Sequence, residues 1–93
     1  MSALPGPGPL DVPRRTLGIR IRRVPDGLLL GYRDQAVLLS GPAELIYRLA
    51  DGDRTVADIA DGVAGEYGID AAEALADVVE FLADQGGSGT LQW

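Results

Sequence analysis

Residues 36–52 read AVLLSGPAELIYRLADG, and inside this stretch the apolar spacing changes from that of a strand to that of a helix. Ala36, Val37, Leu38 and Leu39 form an apolar run too short for a helix, and Ser40-Gly41-Pro42 ends it with turn-forming residues. Beyond Pro42, which suits a first helical turn, Ala43, Ile46, Leu49 and Ala50 fall on one helical stripe until Asp51-Gly52 stops it. A strand therefore hands over directly to a short helix.

Upstream the pattern stays at period two. Leu17, Ile19 and Ile21 alternate with Gly18, Arg20 and Arg22, which predicts a strand over residues 17–24 with one buried face and one wet face. Pro25-Asp26-Gly27 reverses the chain, residues 28–32 form a second strand, and Arg33-Asp34 turns it again into the strand at 36–39. Downstream the period is helical. Thr55 with Asp58 three residues on predicts a capping box, and Val56, Ile59, Ala60, Val63 and Tyr67 carry the second helix to Gly68. Asp70 with Glu73 starts a third helix, expected to run over residues 71–85 and to end at Gly86-Gly87.

The fold class that follows is α+β: a three-stranded antiparallel meander, then three helices, in a winged helix-turn-helix-like order. Residues 1–16, with prolines at 5, 7, 9 and 13, are expected as a disordered or polyproline-like tail, residues 17–85 as the folded domain, and residues 86–93 as a flexible glycine-rich tail in which 90–93 can add a terminal strand. The expected core holds Leu75, Val78 and Leu82 together with Ile19, Ile21, Ile46 and Ile59.

Composition narrows the function. The 93 residues include no Cys and no His, which removes the thiol nucleophile, the usual neutral-pH base and the common zinc and iron ligands. No metal, no cofactor and no turnover are expected. The fourteen carboxylates sit at helix starts, on turns or on one helix face, where capping and solubility account for them. Apolar runs stay far short of the roughly 18–20 residues that span a bilayer, and the start lacks a secretory signal, so a cytoplasmic protein is expected. Charge is split along the chain: residues 1–33 hold six Arg against two Asp, and residues 34–93 hold two Arg against twelve acids. Arg20, Arg22 and Arg23 suit either an acidic partner or simple solvation of a wet strand face.

The third helix says more than packing requires. At about 100° per residue, Glu73, Asp77, Glu80 and Asp84 collapse into an acidic stripe expected to face water. The apolar arc opposite spans about 220°, against the roughly 100° that one core face needs. It centres on Leu75, Val78 and Leu82, with Ala74 and Phe81 along one edge and Ala72, Ala76, Val79 and Ala83 along the other. Two readings of the surplus stand side by side: alanines as good helix formers, or the wall of a groove. For the whole chain, a winged-helix DNA reader needs cations on its recognition helix, which this helix lacks. A peptide-binding module needs an open sheet edge and an apolar groove, which the pattern supplies. A structural subunit whose groove is filled by a partner enzyme is the third reading.

The run from Ala43 to Ile59, with Asp51-Gly52-Asp53-Arg54-Thr55-Val56 at a helix junction, followed by Glu66-Tyr67-Gly68 and the acidic third helix, resembles the PqqD family. The resemblance covers about residues 17–85. It implies a non-catalytic recognition element, an adaptor or chaperone that binds the leader region of a ribosomally made precursor peptide. It further implies delivery of that peptide to a maturation enzyme, either a radical enzyme of the S-adenosylmethionine type or a leader peptidase with a cyclase, without nucleic acid or membrane as partners. In that family the leader lies as an added strand along the third strand and against the third helix. Mapped here, the expected peptide-binding residues are Ala36, Val37, Leu38, Leu39, Ala72, Leu75, Val78, Val79, Phe81 and Leu82.

Overall fold

A computed structural model describes residues 6–93; the first five residues of the expected tail lie outside the described residues. In chain order the elements are β1 (Arg14–Arg15), β2 (Arg20–Val24), β3 (Gly27–Tyr32), β4 (Gln35–Leu39), α1 (Pro42–Leu49), α2 (Val56–Tyr67), α3 (Ala71–Ser88) and β5 (Leu91–Gln92). β2, β3 and β4 form the antiparallel meander, in that spatial order, and the three helices follow. Arg33 takes a left-handed φ of 56° in the tight β3–β4 reversal, one residue from where Asp34 completes the turn.

One face of the sheet is buried because its register stacks apolar residues across it. Leu30 pairs with Val37 and Leu28 with Leu39, and the three leucines are buried against Ile46 and Tyr47 of α1, Val56, Ile59 and Val63 of α2, and Ala74, Val78 and Leu82 of α3. Each such aliphatic side chain contributes about 1.5–3 kcal/mol relative to exposure. Leu29, Leu38, Ala36, Arg20 and Arg22 occupy the other face, which no helix covers.

Local signals account for the helix ends. Thr55 and Asp58 make the reciprocal capping box, each side chain accepting from the other's backbone N–H at 3.1 Å. Gly68 closes α2 in the left-handed conformation, and the Asp70 carboxylate accepts from the Ala72 N–H at 3.0 Å to open α3. α1 is finished from outside: the Arg15 guanidinium donates to the Tyr47 and Arg48 carbonyls at 3.2 and 2.8 Å. Between α1 and α2, the Asp51 carboxylate accepts from the Asp53 and Arg54 N–H groups and pairs with the Arg54 side chain. These bonds, led by that from Asp53, hold its carboxyl below the usual carboxylate range.

Several expectations are corrected. The first long strand starts at Arg20 instead of residue 17: Gly18 adopts φ 86°, and Leu17 is left 93% exposed. Ile21 faces the helix side but lies at the outer strand, beyond their cover, and is 50% exposed, while Ile19 and Leu75 are half-buried. Residues 6–16, expected as a loose tail, are tied to the body. The Asp11 and Pro9 carbonyls accept from the Val56 and Ala57 N–H groups at 2.9 Å, filling donors that open α2, and Pro13 is fully buried. Arg14–Arg15 then pairs with Leu91–Gln92, so the terminal strand forms and its partner is the segment just before the domain. α3 passes through Gly86-Gly87 and ends at Ser88, with Gly89 at φ 90° as its cap. Packing of Trp93 on Gly86 rewards continuing the helix more than two glycines cost it.

Two stability predictions follow from this geometry. Gly27 sits at φ 148°, and a Cβ there would collide with the Leu39 carbonyl, whereas Gly65 lies inside α2 with open space around it. Urea melts should show Gly27→Ala destabilised by about 2 kcal/mol or more and Gly65→Ala stabilised by about 0.5–1 kcal/mol. The Tyr47 hydroxyl is buried without a hydrogen-bond partner among the described residues; burial pushes its ionisation up, and the Arg15 guanidinium 6.0 Å from the ring centre pulls the other way. Because the folded-state value lies above the unfolded one, this group leaves stability unchanged with pH below about pH 10 and lowers it as pH climbs through the folded value. Tyr47→Phe should match or exceed the parent by up to about 1 kcal/mol at neutral pH and lose less stability in alkali.

Candidate functional site

β4 is at the edge of its sheet. It pairs with β3 on one side, and among the described residues no strand pairs with the other, so alternate backbone N–H and C=O groups point outward. Leu38 is 50% exposed on the uncovered face, Ala36 beside it is exposed, Val37 is half-buried and Leu39 belongs to the core.

Just past the exit of β4 the surface opens into a cleft of 990 Å³. One side is the start of α1, with Pro42, Ala43 and Ile46; the other is α3, with Asp77, Glu80, Phe81, Ala83 and Asp84; Leu91, Gln92 and Trp93 close the end near Gly86-Gly87. The helical spacing puts Phe81 on the border between the buried stripe and the acidic one, so its ring and the carboxylates share this wall. The acidic stripe is exposed, as expected, and three of its four members also line the cleft.

The expected site residues divide accordingly. Phe81 lines the cleft; Val78 and Leu82 expose no surface and support the wall from the core; Leu75 is half-buried and Ala72 exposed, neither of them on the cleft. Val79 faces the N-terminal segment: an added Cβ on Gly6 would lie 2.8 Å from Val79 Cγ1. The flank of α3 along Val79 is thus met by the chain itself at Gly6, while Ala72 and Ala76 on the same flank stay exposed, and Phe81 on the other flank lines the cleft. Residue-level reasoning missed Trp93, Leu91, Ile46 and Pro42 as lining residues. The period of α1 marked Ile46 as apolar, but no local signal showed that the C-terminal strand returns to α3.

The same cleft limits the chemistry on offer. Its polar lining consists of three carboxylates and Gln92, and among the described residues no three carboxylates converge as a metal site. No described helix is long and apolar enough to cross a membrane. The geometry suits binding of an extended chain: an open strand edge, an apolar floor and one charged wall.

Comparison with known proteins bears on this arrangement. A family model described as coenzyme PQQ synthesis protein D (PqqD) matches residues 27–89. The solution NMR structure of the PqqD truncation of Methylobacterium extorquens PqqCD, described as a functional and stand-alone recognition element for ribosomally synthesised and post-translationally modified peptides, is similar at 28% identity and a TM-score of 0.78, over 92% of this chain and 94% of that one. The crystal structure of PqqD from Xanthomonas campestris is similar at 26% identity and a TM-score of 0.60, over 84% of this chain and 89% of that one. No curated protein matches the sequence. A family match running from the β2–β3 turn to the cap of α3, together with two solved PqqD structures that share the fold over most of their length, shows that this chain belongs to the PqqD family.

Proposed function

We propose that this chain is a non-catalytic recognition element that binds the leader segment of a ribosomally made precursor peptide and presents it to a maturation enzyme. The observation that carries the reading is the open edge of β4, with the cleft between α1 and α3 as a separate apolar surface whose lining begins at Pro42, three residues after Leu39. A peptide added as a fourth strand satisfies the outward backbone groups of residues 35–39, which gives affinity with little demand on sequence. Discrimination then falls to side chains that the peptide places against Leu38 on the strand and Phe81 on the helix. The recognition function described for the Methylobacterium extorquens relative supports the same reading. Exposed Glu73, Asp77, Glu80 and Asp84 disfavour DNA, whose phosphates α3 would repel. The partner enzyme supplies the chemistry, either by a radical route or by leader cleavage and cyclisation, and the adaptor works in the cytoplasm where such peptides are made.

Neighbouring residues of a strand aim their N–H groups at opposite edges. Of Val37→Pro and Leu38→Pro, one removes a ladder bond to β3 and the other an outward donor. Circular dichroism melts identify the variant that keeps its fold. Calorimetric titration with synthetic precursor leader peptides should show that folded variant binding at least about tenfold more weakly than the parent, the equivalent of roughly one or two lost hydrogen bonds. Parent-like affinity in a folded variant of the outward-facing position rules out strand addition at this edge.

A further inference from the structure

The cleft carries a charge that no cation among the described residues is seen to neutralise. Asp77, Glu80 and Asp84 line it, and no Arg does; the ion pairs of Arg23 and Arg48 are made with Glu44 and that of Arg54 with Asp51, away from the lining. A cleft lined by one sign of charge above a low-dielectric floor concentrates the opposite ion. The floor here is apolar, with Ile46, Phe81 and Leu91.

Trp93 adds a second feature that favours a cation. It follows β5, which is held against α3 through its pairing with β1. Its six-membered ring lies on Gly86, where any Cβ would overlap it, so the glycine lets the indole lie close to the helix. The ring lines the cleft and stays 43% exposed. An aromatic face beside carboxylates attracts ammonium or guanidinium groups by cation–π and ion-pair terms together. The family match stops at residue 89, so this end of the cleft is built by a segment outside it.

Resting on the peptide-binding reading above, we propose that the cleft selects an extended peptide bearing Lys or Arg two positions from an aliphatic residue. That spacing puts both side chains on one face of a strand. The cation is held by the Asp77, Glu80 and Asp84 carboxylates and the Trp93 indole; the aliphatic neighbour settles on Ile46 and Phe81. Trp93 and the cleft carboxylates are then specificity determinants, and acidic peptides are excluded by the same wall.

The test uses the full chain and two synthetic peptides of three repeats each, Thr-Lys-Thr-Leu and Thr-Glu-Thr-Leu, with binding read by calorimetry and by fluorescence of Trp93, the only tryptophan. The Lys peptide should bind at least about tenfold tighter in low salt, with the gap narrowing as salt rises. Combining Asp77→Asn, Glu80→Gln and Asp84→Asn should abolish the preference. Glu73→Gln removes a charge from the same stripe but outside the cleft lining and should preserve it. Gly86→Ala should shift the Trp93 emission and weaken the Lys peptide by about threefold to fivefold, the loss of one cation–π contact. Equal affinity for the two peptides, or a preference that Glu73→Gln erodes as much as the triple variant does, overturns the selectivity. The leader peptide is a separate arm: leader binding with no Lys preference overturns the selectivity alone, Lys preference without leader binding overturns the leader reading alone, and binding by none of the three peptides overturns both.

Discussion

The register of β3 between its two neighbours is the constraint on which the rest depends. A shift of one residue would turn Leu28 and Leu30 to the uncovered face and bring Leu29 inward, because side chains alternate along a strand. The register is held by the Gly27 turn, whose backbone passes so close to the Leu39 carbonyl that no side chain fits, and by the Arg33 reversal at the other end. Once the leucines face one way, α1, α2 and α3 have a single surface on which to bury Ile46, Ile59, Val63, Val78 and Leu82.

That arrangement leaves a small domain with exposed edges and unsatisfied helix ends, and the terminal segments deal with several of them. The N-terminal segment brings carbonyls to the first amides of α2, and Arg15 brings a guanidinium to the last carbonyls of α1. β1 then pairs with β5, where the Thr16 N–H also donates to the Thr90 carbonyl at 3.1 Å, so residues 14–16 and 90–92 are tied together beside α3. The β4 edge receives no such cover among the described residues. Open edges are a liability in a free protein, and one that persists beside a shaped cleft is economically explained by a strand-adding ligand.

The cleft also shows how one helix face serves two purposes. Ala74, Val78 and Leu82 spend their surface on the core, and the stripe of Asp77, Glu80 and Asp84, which is exposed to solvent, also lines the cleft. Phe81 joins the two. In the proposed binding mode, affinity from backbone pairing and selectivity from charge fall to different elements, β4 and α3, which would allow each to change without disturbing the other.

By itself the sequence determined the order of the meander strands and the three helices, the turns between those strands and the starts of α2 and α3, because these depend on neighbours within a few residues. The change of period at Pro42, the Thr55 and Asp58 capping box and the Gly68 stop were all legible, and the run of residues 43–59 with Glu66-Tyr67-Gly68 and the acidic third helix pointed to the family. Other features were decided only in three dimensions. Residues 6–16 look like a loose proline-rich tail until the α2 amides they serve are in place, and Gly86-Gly87 looks like a helix stop until Trp93 packs there. Leu17 and Ile21 follow the strand period faithfully, yet the helices do not extend over them, and periodicity carries no information about how far a covering layer reaches. The open flank of α3 was ambiguous for the same reason: a 220° apolar arc can turn either edge to solvent. The contact of Gly6 with the Val79 side and the return of β5 to the cleft that Phe81 lines are both made by residues far away in the chain, beyond the reach of any local pattern.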